Sequence, residues 1–440
     1  MKLTIEKVVY GGQGLARLPA DSGTRGGMSV FVPFTLPGET VDVEITQQHR
    51  GYCVGEARQI VEASEFRVDP PCPWFGICGG CQLQHSVYAH QTELKREMLL
   101  ESLTRAGIRD LPAVSLLTGE PWGYRNRIRL QVQTQPEFSI GYRQAKSHRM
   151  TAIDGCPIAA PLLEQCIRVL RSQGLLGKFP ADAQEIEIFT NHDQSELFLT
   201  MWTNSRSRSE QAAHTEFFAR IQQEIPQLIG AQVLTTGKGT LPTARPQLQW
   251  GRQTVHYRVA GREYTLSAGS FFQVHRTLLD EFVPAVVGSE SGQCAWDLYA
   301  GVGLFSLALV ERFQRVIAVE SNPAAWKDLR QNLRSTRTPK ATAEAIQSAT
   351  IDFLQQVSQR QMPAPDLVLL DPPRAGAGVE ACNLLARLNP RRIVYVSCDP
   401  ATLGRDLGAL IQSGYRLHRL QCVDMFPQTY HMETIAVLER

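Results

Sequence analysis

The chain has 440 residues, too many for one compact core and enough for about three domains. Its composition, 43% hydrophobic and 20% charged, is that of an ordinary globular protein, and a formal net charge of +2 excludes a uniformly basic nucleic-acid-binding surface, so any RNA-facing surface has to be a local patch. No run nears the roughly 18 apolar residues of a membrane span, and the first residues alternate apolar with polar where a signal peptide needs a continuous apolar stretch, so a cytoplasmic protein without membrane contact is expected.

Residues 1–65 read as a small all-β domain. Leu3 and Ile5, then Val41, Val43 and Ile45, alternate with polar neighbours, and Gly11, Gly12, Gly14 and Pro37-Gly38 supply turns. A barrel of the oligonucleotide-binding (OB) type is the expectation. A cysteine loop follows, with Cys72, Cys78 and Cys81 spaced C-x5-C-x2-C. In a cytosolic chain such a cluster points to metal or redox chemistry before disulfides. Spacing alone leaves both a zinc knuckle and an iron–sulfur site open. A helix is predicted over 87–106, with Leu94, Met98, Leu99 and Leu103 as its apolar stripe and Gly107 as its stop.

From 122 to 262 strands dominate, with one helix around 159–173. Arg125, Arg127 and Arg129 alternate along a predicted strand and so share one face. Arg143, Lys146 and Arg149 follow, and Tyr124, Phe138 and Tyr142 interleave with them. The usual meaning of such a run is a solvated strand face. The interleaved aromatics make the three arginines candidates for RNA contact as well. After 263 the rhythm changes to short apolar strands alternating with helices, at 295–299, 316–320, 366–370 and 393–397, which suits a parallel sheet covered on both faces.

Three places in that last segment carry chemistry. Asp297-Leu-Tyr299-Ala-Gly301-Val-Gly303 follows a strand and opens a helix, and Glu320 ends the next strand, where doubly wound folds place a carboxylate for ribose hydroxyls. The glycines fall short of the full dinucleotide pattern. Asp371-Pro-Pro-Arg374 ends another strand in a rigid loop able to aim a carboxylate into the crevice. Ser397-Cys398-Asp399-Pro400 ends a third strand ahead of a helix, so Cys398 is either a small buried hydrophobe or a nucleophile on the same sheet edge.

Taken in order, Ser270-Phe-Phe-Gln273-Val, Asp297-Leu-Tyr-Ala-Gly-Val-Gly, Asp371-Pro-Pro-Arg-Ala-Gly, Ser397-Cys-Asp-Pro-Ala-Thr-Leu and Asp424-Met-Phe-Pro-Gln-Thr-Tyr-His-Met-Glu433-Thr resemble the RNA uracil-5 methyltransferase family. The resemblance implies three domains. They are an OB-like TRAM domain over 1–65, a β-rich central domain with iron–sulfur cysteines over 66–262, and a Rossmann-like, doubly wound methyltransferase domain over 263–440. The segment 87–121 is a candidate to pack on the last of these. It further implies S-adenosylmethionine bound by Gln273, Tyr299, Glu320 and Asp371, Cys398 as nucleophile and Glu433 as base. Cys72, Cys78, Cys81 and Cys156 are similar to the four ligands of a [4Fe–4S] cluster in the ribosomal members. Transfer RNA members typically lack both that cluster and the TRAM domain, so a uridine of 23S ribosomal RNA is the expected target and a monomer the expected state. The remaining alternatives are the same reaction on transfer RNA, and a non-catalytic zinc-bearing RNA-binding protein. Departures from the family pattern stand at Ala300, Leu304, His275 and Asp399. Of these, Leu304 and His275 bear on contacts to cofactor or RNA.

Overall fold

A computed structural model describes residues 1–20, 26–145, 147, 149–204, 210–235, 246–335 and 341–440. Lys146 lies outside the described residues. Among them, no helix is long and apolar enough to cross a membrane.

The N-terminal domain is a six-stranded sheet in the order Lys2–Thr4, Thr40–Gln48, Tyr52–Glu62, Ser29–Pro33, Gln13–Arg17, Lys7–Val9. Its alternating apolar positions meet in one small core of Leu3, Ile5, Val30, Val32, Val41 and Val43, as the period-2 pattern requires. A second sheet of seven strands runs Met150–Ala152, Ser139–Arg143, Arg127–Gln133, Ala183–Thr190, Leu197–Thr203, Leu228–Thr235, Leu248–Gly251. Helices Pro161–Leu175 and Glu210–Glu224 bury Leu163, Ile167, Phe217 and Ile221 against it.

The C-terminal half is built on an eight-stranded sheet in the order Thr342–Gln347, Phe313–Glu320, Gly292–Leu298, Leu367–Leu370, Arg392–Ser397, Glu433–Glu439, Arg416–Val423, Val114–Leu117. The first five strands are parallel, and Glu433–Glu439 is antiparallel to both its neighbours. Side chains of each central strand divide between two cores, as a doubly wound sheet demands. Ala295, Val316, Ala318, Leu369 and Val394 face one core. Trp296, Ile317, Val319, Val368 and Tyr395 face the other.

Two segments that begin before residue 263 pack on the C-terminal sheet, the first as expected of 87–121 and the second unexpectedly. Helix Tyr88–Arg105 lays Leu94, Met98, Leu99 and Leu103 into the second core of the C-terminal sheet. Its buried Lys95 reaches Asp424 at 2.5 Å, and Val114–Leu117 then adds a strand to that sheet's edge. The hairpin Thr254–Val259 with Arg262–Ser267 likewise places Val255, Tyr257, Tyr264 and Leu266 in the first core. The physical reason is that each segment's apolar face finds its largest uncovered partner on this sheet.

Candidate active site

The sheet order turns back between Gly292–Leu298 and Leu367–Leu370, the place where a doubly wound fold opens a crevice at its carboxyl edge. The loop after Gly292–Leu298 is tight: Tyr299, Gly301 and Gly303 have φ of +63°, +57° and +94°. A non-glycine residue held there marks local strain of the kind found at binding sites. The Glu320 carboxylate accepts from Gly301 N at 2.9 Å and Asn322 N at 2.6 Å, which binds the end of one strand to the glycine loop of the next. Beneath the loop the fully buried Asp297 accepts from the Ser306 hydroxyl, while its second oxygen has no protein partner. Burial pushes this carboxyl up to about 7.

Asp371 and Cys398 sit at the carboxyl ends of the next two parallel strands. Glu433 reaches the same edge by a different route, because its strand is antiparallel and begins where the others end. The ladder pairs Val396 with Ile435 and Ser397 with Thr434, so Cys398 and Glu433 each lie one residue beyond its last pair. These groups share one poorly solvated space. Burial, then the charges of Glu433 and Asp371, push the Cys398 thiol up to about 12, and Arg374 opposes them. Burial and Asp371 raise Glu433 well above the usual carboxylate range, with Arg374 again opposing. Burial and Asp297 raise Asp371. One oxygen of the buried Glu433 has no protein partner.

Sequence reading missed what fixes these loops. Asp406, in the second turn of helix Pro400–Gln412, accepts from the Tyr395 hydroxyl at 2.7 Å, from Ala377 N at 2.9 Å and from Gly378 N at 3.2 Å. Thr402 donates to the Arg374 carbonyl at 3.0 Å and Arg405 to that of Ala375 at 2.8 Å. The loop after Asp371 is thereby tied to the helix that follows the Cys398 turn. A Cβ on Gly376 would stand 2.5 Å from both Arg405 and Asp406, so close an approach admits glycine alone. No local spacing signals Asp406, since its partners come from another strand and loop.

Gln273 is buried, and its carbonyl accepts from the Asn126 amide at 2.9 Å, which also donates to the Tyr257 hydroxyl at 2.9 Å. Two departures acquire structural meaning. His275 is fully buried, stacked on Tyr124 at 4.6 Å and bonded to the Glu120 carbonyl at 3.2 Å, while Leu304 is buried in the core.

The four cysteines Cys72, Cys78, Cys81 and Cys156 come together around one cavity of about 270 Å³, lined also by Trp74, Phe75, Tyr142 and Arg125. Burial raises Cys78, pushes Cys81 up to about 12 and Cys156 up to about 11, and the thiols add to one another's shifts. Among the described residues, no three His, Cys, Asp or Glu side chains are set as the ligands of a single metal ion. The arginine stripe is largely spoken for. Arg127 stacks over Phe189 at 4.3 Å with Glu187 at 3.8 Å, and Arg129 stacks over Trp202 at 3.8 Å and pairs with Glu185. Arg125 precedes the strand and bonds the Arg127 carbonyl at 3.0 Å.

Comparison with known proteins agrees with this architecture. Residues 245–440 match the tRNA (uracil-5-)-methyltransferase family and residues 1–57 the TRAM domain. The 23S rRNA (uracil(1939)-C(5))-methyltransferase RlmD of Pectobacterium atrosepticum is 33% identical over 99% of this chain and 93% of that protein. That of Shewanella amazonensis is 30% identical over 99% and 96%. The crystal structure of Pyrococcus abyssi tRNA (uracil-54, C5)-methyltransferase, in complex with S-adenosyl-L-homocysteine, superposes with a TM-score of 0.76 at 25% identity, covering all of both chains. That last match corrects one expectation: a transfer RNA enzyme extends over the N-terminal domain too, so the domain does not by itself single out ribosomal RNA as target.

Proposed function

The chain belongs to the RNA uracil-5 methyltransferase family, and from that premise we propose that it methylates carbon 5 of a uridine in 23S ribosomal RNA through a covalent bond between Cys398 and the uracil ring. The observation that supports the mechanism is that the ladder between their strands ends one residue short of Cys398 and Glu433, and that the charge of Glu433 acts on the Cys398 thiol. Carbon 5 of uracil is a weak nucleophile. Addition of the Cys398 thiolate to carbon 6 forms a carbon–sulfur bond and moves the ring's electrons into an enolate, so that carbon 5 can attack. S-adenosylmethionine would supply an electrophilic methyl group, and Gln273, Tyr299, Glu320 and Asp371 are the residues that would hold it, Glu320 offering its carboxylate to ribose hydroxyls. Glu433 then takes the proton from carbon 5, the ring double bond re-forms and the thiolate leaves. A carboxylate with a raised proton affinity suits that last step, and the Arg374 guanidinium is the charge that opposes the upward shifts of Cys398 and Glu433.

Full-length likeness to the two 23S enzymes at 30% and 33% identity supports ribosomal RNA over transfer RNA, for which the likeness is 25%. For the cysteine cavity the reading is a [4Fe–4S] cluster held by Cys72, Cys78, Cys81 and Cys156. Four thiols gathered around one cavity, three of them with proton affinities raised by burial and by neighbouring thiols, are relieved by a cationic centre between them.

One experiment tests substrate and mechanism together. Glu433→Gln should add to RNA and transfer the methyl group, then stall, giving a protein–RNA band that survives denaturing electrophoresis and carries labelled methyl. The band should form with a 23S fragment and not with transfer RNA, and should vanish when Cys398→Ala is added. Normal turnover by Glu433→Gln would place the base elsewhere. An adduct with transfer RNA alone would reassign the substrate.

A further inference from the structure

The turn between Lys7–Val9 and Gln13–Arg17 carries a tyrosine into the catalytic half of the molecule. The Tyr10 hydroxyl lies 3.4 Å from the Cys398 carbonyl oxygen and 3.4 Å from the Asp399 carboxylate. Its ring meets Tyr430 edge-on at 5.3 Å, and Tyr430 in turn lies 4.1 Å from His431, two positions before Glu433. The approach is built in. Gly12 has a φ of +78°, and a Cβ there would stand 2.9 Å from Gln82 and 3.3 Å from Tyr430, so glycine is what lets the turn settle.

Asp399 explains how such a contact bears on the nucleophile. One of its oxygens caps helix Pro400–Gln412, accepting from Ala401 N at 3.0 Å and Thr402 N at 2.9 Å. The other faces the phenol. A carboxylate accepts on both sides, whereas an amide has one oxygen and would have to turn a donor towards Tyr10. The phenol has one proton to give, and both its acceptors belong to the turn that carries Cys398. Both bonds, at 3.4 Å, act on the one turn, so together they set where it stands.

We propose that Tyr10 is a positioning residue for the methyl transfer: the N-terminal domain holds the Cys398–Asp399 turn in register through Tyr10, which also walls, with Tyr430, the space beside the nucleophile. This rests on the reading of Cys398 as nucleophile. The full chain and its Tyr10→Phe, Asp399→Asn and doubly substituted forms are compared by single-turnover methyl transfer at saturating S-adenosylmethionine and 23S RNA fragment, and by RNA affinity. Tyr10→Phe should slow the saturated step about tenfold, the scale of one lost hydrogen bond, and change RNA affinity less than about twofold. Asp399→Asn keeps the helix cap and should cost a similar factor. Substituting both should cost no more than Tyr10→Phe alone, since that change already removes every bond from the phenol to the turn. An unchanged rate in Tyr10→Phe, a loss confined to RNA affinity, or multiplying losses would each overturn the proposal. A Cys398→Ala control separates the two readings: methyl transfer without that thiol sinks the nucleophile itself, whereas an inactive control beside a fully active Tyr10→Phe sinks only the role of Tyr10.

Discussion

Two regions of this chain hold half-buried cysteines beside other polar or sulfur groups, and burial raises Cys398 in one and Cys78, Cys81 and Cys156 in the other, yet their surroundings differ in kind. In the crevice of the C-terminal sheet a single thiol, Cys398, stands among the carboxyl groups of Glu433 and Asp371, with Arg374 as counterweight. In the central domain four thiols line one cavity with aromatic rings, and the charges of neighbouring thiols add to the shifts of Cys78, Cys81 and Cys156. The first arrangement sets one sulfur among carboxyl groups and a guanidinium, as the proposed nucleophile requires. The second gathers four sulfurs around a common space, as the proposed ligand set requires. On this proposal the same residue type takes two roles, and the neighbouring groups decide which.

The largest expected effect breaks this comparison if it fails. Cys398→Ala should lower methyl transfer by about 10⁴-fold or more, as loss of a covalent nucleophile does, with folding unaffected. Cys81→Ser should leave methyl transfer within about tenfold, bleach the visible thiolate–iron absorbance of anaerobically purified protein, and lower the melting temperature by the few degrees expected for about 2 kcal/mol. Equal catalytic losses would merge the two roles, and a colourless wild-type protein holding zinc would remove the cluster.

The second test sharpens the electrostatic half of the comparison. Asp297 is held at about 7 by burial, above its unfolded value of about 4. A carboxyl raised on folding binds its proton more tightly in the folded state. Its stability contribution is therefore full below about pH 4 and is lost as pH rises through about 7. The cofactor-free protein should lose stability between those values, and Asp297→Asn should lose on the order of 2 kcal/mol less over the same window. Parallel stability curves for the two proteins, followed by thermal unfolding against pH, would show that Asp297 is ionised throughout.

The smallest effect concerns the arginines that border the cysteine cavity. Arg129 is half exposed but already paired with Glu185 and stacked on Trp202. Arg129→Gln should weaken RNA binding less than about threefold and leave the slope of affinity against salt unchanged, because a paired guanidinium releases few counterions. A slope lower by about one would restore it as a phosphate contact.

By itself, the sequence determined what depends on local pattern. Alternation placed the strands of the N-terminal domain, and apolar runs with glycine and proline punctuation placed those of the C-terminal sheet. The ordered motifs located the crevice residues and the cysteine loop, because strand ends and turns are set by neighbours in the chain. What lay beyond it were pairings between distant segments. That Glu433 comes beside Cys398 follows from an antiparallel strand inserted beside a parallel one, a choice of sheet order that no local period encodes. The register of Arg127–Gln133 against Ala183–Thr190 sets Arg127 and Arg129 opposite Phe189 and Glu187, and so within diagonal reach of Glu187 and Glu185. That the hairpin of Thr254–Val259 and Arg262–Ser267 joins the core of the C-terminal sheet, that Asp406 ties a loop to a strand and that Tyr10 reaches the turn of Cys398 were decided by which faces the folded chain buries against each other. Burial and charge pairing depend on the whole fold, and they set the chemistry of every side chain that the motifs had only located.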